Sequence, residues 1–344
     1  MLKVIRYFLT GVIFGAVLSS CSMVNEDLSV CTTDTLDYQL RLVTNITTEL
    51  ETQLSLELDT EVRWMMEEYL EDIFTDYARD VDLSFYDNSA PPMARLQHRK
   101  EQMNGSENSY SLILPARAYR HLAIANIAAS KNVTLEGDDE CYTSSLIQHA
   151  DGNIVKPHTT GLFTARKDLD VKNGIDQHFD VRLYMANSAS GLILDMEEAP
   201  VIKDMRAVVT GFADEFNISD STYVFNSSAD VETELLETQD KGTRCYASVH
   251  FPSAEPAESK VIIQVDSDQD VSKTPLWCWK VYVTLENDSV TESIVNVYTP
   301  LRAGHVKILR ARVTKEGIVT TTDAHVGVSV TLDWSQGPEF PVDL

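Results

Sequence analysis

The sequence predicts a mainly β protein with two β-sandwich domains in tandem, the first of which carries one long amphipathic helix. Many short segments alternate apolar and polar residues, which is the pattern of strands with one buried and one solvated face. One segment instead repeats its apolar residues every three or four positions, as a helix does. The chain has 344 residues, enough for two cores of ordinary size.

The first 20 residues are organised as a secretory signal. Two basic residues precede an apolar stretch from Tyr7 to Leu18, which is shorter than the roughly 20 residues that span a bilayer. It ends in Leu18-Ser19-Ser20-Cys21, which resembles the bacterial lipobox and favours acylation of Cys21 over a chance cysteine after an ordinary signal. Residues 1–20 are therefore predicted to be a lipoprotein signal peptide, and residues 21–35 an acylated N-terminus and polar stalk held at a membrane by acyl chains.

Composition excludes one class of partner. The formal net charge is −25, with 43% hydrophobic and 24% charged residues, as expected of a folded acidic protein. Nucleic-acid binding needs a basic surface, so no nucleic acid is expected as a partner. The acidic surface is suited to solubility instead.

Four cysteines remain once Cys21 is acylated. Cys31, Cys141, Cys245 and Cys278 permit two disulfides in three connectivities in an oxidising compartment. Buried free thiols are the alternative. No CxxC pair is present, so a zinc site is not expected.

Residues 36–186 are predicted to form the first domain. The helix is predicted from Thr60 to Tyr77, where apolar residues recur at helical spacing between acidic ones. Strands are predicted around Tyr38 to Leu42, Val81 to Phe85, Tyr110 to Leu114, Tyr119 to Ile127, Leu162 to Val171 and Phe179 to Met185.

Residues 187–344 are predicted to form the second domain, with Asn187 to Gly191 as a small, polar linker at its start. Its strand candidates are short, regularly spaced and broken by Gly, Pro, Asn and Asp, which favours an antiparallel sandwich over a parallel α/β sheet. They lie at Leu192 to Met196, Met205 to Phe212, Tyr223 to Phe225, Cys245 to Phe251, Val261 to Val265, Leu276 to Leu285, Ile294 to Tyr298, Val306 to Val313 and Val326 to Trp334.

Several motifs occur in an order that resembles a known family. The lipobox is followed by Asp27-Leu28-Ser29-Val30-Cys31, and later by Val81 to Asp87, Thr160-Gly161-Leu162-Phe163, Met205 to Gly211 and the closing Val330 to Gly337. The chain thus resembles the FimB-type fimbrial subunits, the minor and anchor lipoproteins of type V fimbriae of Bacteroidales. The resemblance extends thinly over almost the whole chain.

This resemblance implies two transthyretin-like β-sandwich domains, a lipid-anchored location in the outer membrane at the cell surface, and other fimbrial subunits as partners. It also implies assembly by strand complementation, in which a strand of one subunit completes a sheet of another. No cofactor is implied. Arg41 and Arg63 depart from the family pattern, since they lie in a predicted strand and helix and not in an exposed linker that a protease could cut.

The sequence contains none of the common catalytic motifs, and the protein is not expected to be an enzyme. Asp266, Asp268 and Asp270 resemble the start of a calcium loop, but the glycine and the twelfth-position glutamate that such a loop requires are missing. We therefore expect no metal, with these three aspartates as a weak candidate. His149 and His158 are expected at the surface.

Two features remain as candidates for recognition. Trp277 and Trp279 lie two positions apart and would share one strand face, either in the core, as we expect, or as an exposed platform for a sugar. Val326, Val328, Val330, Leu332 and Trp334 alternate strictly with small or polar residues and predict the cleanest strand of the chain. This strand, or the tail Phe340 to Leu344, would pair with a neighbouring subunit, or else it is an ordinary terminal strand.

Three hypotheses of function follow. The first is a structural, anchor or assembly subunit of a fimbria. The second is a surface lipoprotein that binds a glycan or host ligand through an exposed aromatic platform. The third, an enzyme, would need a cleft in which the scattered acids and histidines converge.

Overall fold

A computed structural model describes residues 35–43, 60–73, 78–89, 91–227, 229–236, 242–254, 274–321 and 326–332. In these ranges the chain forms 23 strands and a single helix, α1 (Thr60–Ile73). The prediction of a mainly β fold is confirmed.

The strands are numbered in chain order. β1 to β11 are Thr35–Val43, Ala78–Asp87, Arg95–Gly105, Glu107–Ile113, Ala118–Ala125, Val133–Gly137, Ser144–Gln148, Ala150–Asp151, Ile154–Val155, Phe163–Asp170 and His178–Met185. β12 to β23 are Ser188–Asp195, Ile202–Thr210, Glu215–Asn217, Thr222–Val224, Asp230–Glu232, Glu234–Leu236, Thr243–His250, Trp277–Leu285, Val290–Val297, Val306–Val313, Val319–Thr320 and Val326–Leu332.

These strands form four sheets. Sheet 1 has the order β3-β2-β5-β10-β11-β1-β4, and sheet 2 the order β17-β18-β12-β21-β22. Sheet 3 has the order β23-β20-β19-β13-β16-β9-β8, and sheet 4 the order β15-β14-β7-β6. Sheets 3 and 4 each combine strands from both halves of the chain.

Sheet 1 curls until its two ends meet. Only Ser106 separates β3 from β4, yet these strands lie at opposite ends of the sheet order. Side chains bridge the seam: Gln97 Nε2 donates to the Ile113 carbonyl at 3.2 Å, and Tyr110 Oη donates to the Gln102 carbonyl at 2.8 Å. The inner face therefore encloses a core.

Sheet 2 is the central layer, because two of its inner strands, β12 and β18, are buried on both faces. One face of β12 and β18 contributes Ala189, Ile193 and Ala247 to the core of sheet 1. The other face contributes Leu192 and Tyr246 to a second core shared with sheet 3. Successive residues of a strand point to opposite faces, so one strand can serve two cores.

Helix α1 packs into the first core. Met66, Leu70 and Ile73 are buried, whereas Trp64 is 61% exposed. Met66 lies directly over Gly191 of β12, where a Cβ atom would come within 2.6 Å of Met66 Cε. The predicted helix is thus present from Thr60 to Ile73, and its last four predicted positions lie outside the described residues.

One predicted strand differs from expectation in its burial. The alternation from Val81 to Phe85 predicts one wet face, but Asp82 and Ser84 are also buried, as is Tyr86. Sheet 4 covers the outer face of β2 and β5 and forms a third hydrophobic cluster there. The polar residues Asp82 and Ser84 of β2 therefore lie on a face that sheet 4 covers, and not in solvent.

The predicted linker from Asn187 to Gly191 is wrong. Ser188 to Gly191 form the start of β12, and Asn187 and Ser188 are completely buried. Small polar side chains can be buried when they are hydrogen-bonded, and Asn187 Oδ1 accepts from the Leu162 amide at 3.1 Å. The division into residues 36–186 and 187–344, and the transthyretin-like character of each part, stay predictions.

Candidate functional site

The predicted C-terminal strand lies at the edge of sheet 3. β23 pairs antiparallel with β20, with Val326 opposite Val297, Val328 opposite Val295, and Val330 opposite Ser293. In the part of the chain that the structure describes, no strand pairs with the other side of β23. An edge strand presents a row of unpaired backbone donors and acceptors, which can pair with another chain.

The neighbour of β23 is held firmly in the fold. Ser293 of β20 is fully buried, and its Oγ accepts from the Val319 amide of β22 at 3.0 Å, which joins sheet 3 to the edge of sheet 2. Val295 and Val297 are also fully buried. The edge therefore rests on a rigid strand, as a pairing surface should.

Several predicted site residues lie outside the described residues. They are Cys21, Cys31, Asp266, Asp268, Asp270, Trp334 and the tail Phe340 to Leu344. Acylation, the weak calcium candidate and the role of the tail stay predictions. Among the residues that are described, no group of three or more metal-ligating side chains converges.

Three of the four candidate disulfide cysteines are described by the structure, and none of these three is bonded to another. Cys245 is buried in the first core, where desolvation raises its pKa to about 12. Desolvation also raises the pKa of Cys278 on β19, to about 11. Cys141 donates to Asp138, which raises the pKa of its thiol. Cys245 lies on β18, Cys278 on β19 and Cys141 in the loop between β6 and β7, and a pairing of one of them with Cys31 stays a prediction.

The two tryptophans belong to the second core. Trp277 is 2% exposed and Trp279 is fully buried. Trp277 Nε1 donates to the Thr299 carbonyl at 2.9 Å, and its ring lies 5.3 Å from that of Phe212. Core packing is confirmed, and an exposed platform at these residues is ruled out.

A buried polar cluster lies where sheet 2 meets the loop after β9. His250 Nδ1 faces the Phe251 carbonyl at 2.8 Å and must donate to it, so Nε2 accepts from Ser190 Oγ at 2.9 Å. His158, expected at the surface, is 1% exposed, and its Nδ1 accepts from Asn187 Nδ2 at 3.3 Å. Desolvation lowers the pKa of each imidazole to about 3.

A third buried histidine lies inside sheet 1. His121 Nδ1 donates to the Ser84 carbonyl at 2.9 Å, so its Nε2 accepts from the Tyr38 hydroxyl. The imidazole stacks on Phe85 with ring centroids 4.3 Å apart. Desolvation lowers its pKa to about 4, so it is neutral at physiological pH. Spacing alone did not reveal any of these partners.

Acidic and basic side chains converge in a cleft of about 490 Å³ between sheets 1 and 4. His98 Nε2 lies 2.8 Å from both carboxylate oxygens of Asp82, and Lys100 Nζ lies 4.0 Å from one of them. Within the described ranges no hydroxyl or thiol hydrogen-bonds to His98, so no nucleophile and base pair is formed. Sequence reasoning missed this cleft because β3 is polar on both faces and was not predicted as a strand.

No helix in the described ranges is both long enough and apolar enough to cross a membrane.

Comparisons with known proteins give likeness in structure only. No protein-family model and no curated protein matches the sequence. A proposed adhesin from Bacteroides ovatus is 12% identical, with a TM-score of 0.50 over 93% of this chain and 100% of that chain. The fimbrial anchor protein Mfa2 from Porphyromonas gingivalis is 11% identical, with a TM-score of 0.43 over 72% of this chain and 78% of that chain. The similarity to the B. ovatus protein shows a shared fold.

Proposed function

We propose that this protein is a cell-surface lipoprotein that serves as a structural, anchor or assembly subunit of a type V fimbria. Acyl chains on Cys21 would hold it in the outer membrane. Its partners would be other fimbrial subunits, joined by strand complementation. The lipobox, the order of the sequence motifs and a fold shared with a proposed adhesin support this proposal.

The observation that carries the proposal is the position of β23. A seven-residue strand near the C-terminus forms the outer edge of a seven-stranded sheet. The opposite edge, β8, has only two residues and offers far less backbone for pairing. Backbone hydrogen bonds along an edge provide affinity, and pockets for alternate side chains provide specificity.

The experiment removes the tail and leaves the strand. Deletion of Phe340 to Leu344 should yield a folded, membrane-bound protein that no longer co-purifies with polymerised fimbriae. Asp151→Ala, at the exposed opposite edge of sheet 3, is the control and should co-purify normally. Co-purification of the deletion variant at wild-type yield would show that the tail is not the donor.

A second variant separates pairing within the subunit from pairing between subunits. Val330→Lys places a charge opposite the buried Ser293, and we expect it to unfold sheet 3 if β23 only completes its own domain. If β23 can leave its place for a neighbouring subunit, the variant should stay folded and lose assembly alone.

We also propose that the role is not catalytic. In the cleft between sheets 1 and 4, His98 Nε2 contacts both carboxylate oxygens of Asp82, and no hydroxyl or thiol of the described residues hydrogen-bonds to His98. The competing hypothesis of glycan binding loses its expected platform, because Trp277 and Trp279 are in the core.

A further inference from the structure

A second cleft, of about 360 Å³, opens on the outer face of sheet 1 where β10 and β11 diverge. These strands pair only through Phe163 with Met185 and Thr164 with Tyr184. Beyond this point Arg166 and Arg182 line the cleft. Its volume lies within the range of about 300–1,000 Å³ that is typical of small-ligand sites.

Both arginines are exposed, and neither forms an ion pair in the described part of the chain. Extending the register of β10 and β11 by two residues brings Arg166 opposite Arg182. On the other side of β11, the register partner of Arg182 is Arg41, whose charge is neutralised by Glu107 at 2.8 Å. Like charges opposite one another in a sheet are destabilising, and an anion bound between them would relieve the repulsion.

The cationic pair is unusual in this chain, whose formal net charge is −25. The nearby acidic side chains form no ion pair with the two arginines: Asp168, two residues along β10 from Arg166, lies 3.7 Å from Arg120, and Asp180, two residues along β11 from Arg182, forms no ion pair in the described part of the chain. Arg166 is held in place because its Nη1 donates to the Ser219 carbonyl at 2.9 Å. One guanidinium is thus fixed, and the other is free to bind.

Aromatic side chains form the walls beside the two arginines. Tyr184 is 55% exposed and lies two residues from Arg182 on the same face of β11. Opposite it, Tyr223 is stacked on Phe216 with centroids 4.4 Å apart, and its hydroxyl donates to the Ala186 carbonyl at 2.7 Å. A flat, partly apolar wall beside a planar cation suits a ring that has an apolar face and a carboxylate.

The geometry does not suit a peptide strand. Both strands lie in the interior of sheet 1, and their other sides are paired with β5 and β1. Across the gap between them, Lys167 Nζ donates to the Asp180 carbonyl and closes the space that an added strand would need.

We propose that this cleft binds an acidic sugar, with the carboxylate of a uronic acid residue between Arg166 and Arg182 and its pyranose ring against Tyr184. This activity is independent of fimbrial assembly at β23. It assigns glycan recognition to sheet 1 and not to the tryptophans of the second core.

The test is calorimetric titration of the full chain, purified in detergent, with trigalacturonate at about 0.15 M salt, where remote acidic residues are screened. Maltotriose is the neutral ligand and a tetraglutamate peptide the acidic ligand without a ring. We expect binding of trigalacturonate alone. Arg182→Gln and Tyr184→Ala should each weaken it about tenfold or more, because each removes a contact to the sugar.

Arg312→Gln is the matched control, since it removes the same charge from an exposed arginine on sheet 2 that is paired with Asp195. It should leave the affinity unchanged. Arg182→Gln should also raise the thermal midpoint of the free protein or leave it unchanged, which shows that the variant folds. The proposal fails if trigalacturonate does not bind, if maltotriose or tetraglutamate binds equally well, or if Arg312→Gln weakens binding as much as Arg182→Gln.

Discussion

Acidification from pH 7.5 to pH 5 should destabilise this protein through three histidines that are neutral in the folded state. His121, His158 and His250 are fully or almost fully buried, and desolvation lowers the pKa of each from 6.5 to about 3 or 4. In the unfolded chain these imidazoles titrate near their ordinary value. Between pH 6.5 and pH 4 the unfolded state therefore binds more protons than the folded state, and stability falls as the pH falls.

The size of this loss in stability follows from the difference between the pH and the pKa of histidine in the unfolded chain. At pH 5 the pH is about 1.5 units below the pKa of histidine in the unfolded chain, so each imidazole lowers the free energy of unfolding by about 2 kcal/mol, and the three together lower it by about 6 kcal/mol. Total stabilities are typically about 5–15 kcal/mol, so the loss is a large fraction. Aspartate and glutamate carboxyls, with ordinary pKa values near 4, titrate little in this range.

Urea unfolding at half-unit pH intervals measures the effect. Between pH 6 and pH 5 the free energy of unfolding should fall by about 4 kcal/mol per pH unit. In His158→Gln it should fall by about one third less, because two buried imidazoles and not three take up a proton on unfolding. His149→Gln is the control, since His149 is exposed, and it should keep the wild-type slope. A wild-type loss below about 2 kcal/mol between pH 7.5 and pH 5 would refute the reasoning.

Three further predictions concern the core, a glycine and the anchor. Leu70→Ala in α1 should lower the free energy of unfolding by about 2–5 kcal/mol because Leu70 is 1% exposed, whereas the exposed Glu68→Ala should change it little; equal effects would contradict the packing. Gly211→Ala should be strongly destabilising, since φ is +97° and a Cβ atom would lie 2.7 Å from the backbone of β19. Gly174→Ala is the control: its φ is +70° but a Cβ atom would lie in open space, so it should lower the free energy of urea unfolding by only about 1–2 kcal/mol. Cys21→Ala should leave a folded protein that no longer sediments with membranes, and retention after a salt wash would disprove acyl anchoring.

The local pattern of apolar and polar residues was sufficient to predict an element and its buried face where only one face of that element is covered. The alternation from Tyr38 to Leu42 predicted β1, and the structure buries these residues while Gln39 and Arg41 face outward. The three- and four-residue period predicted the helix that contains Met66 and Leu70. In both cases the period of the backbone decides which side chains share a face.

Local pattern failed where a second layer covers the other face. Asp82 and Ser84 were expected in solvent, and sheet 4 buries them. Strand β3 was missed because its position at the seam of sheet 1 leaves both faces polar. The cleft beside His98 and Asp82 and the cleft beside Arg166 and Arg182 both depend on elements that are distant in the sequence, so neither could be predicted from the sequence.

The sequence by itself determined the acidic charge, the β-rich class and the strand pattern near the C-terminus, because each of these is a property of composition or of short-range period, and it predicts the anchor at Cys21. Only the tertiary structure decided that Ser188 to Gly191 are the start of a buried strand, that Trp277 and Trp279 are core residues, and that Arg166 and Arg182 line the same cleft. Burial and cross-strand register depend on contacts between residues far apart in the chain, and a local pattern carries no information about which distant element will cover a given face.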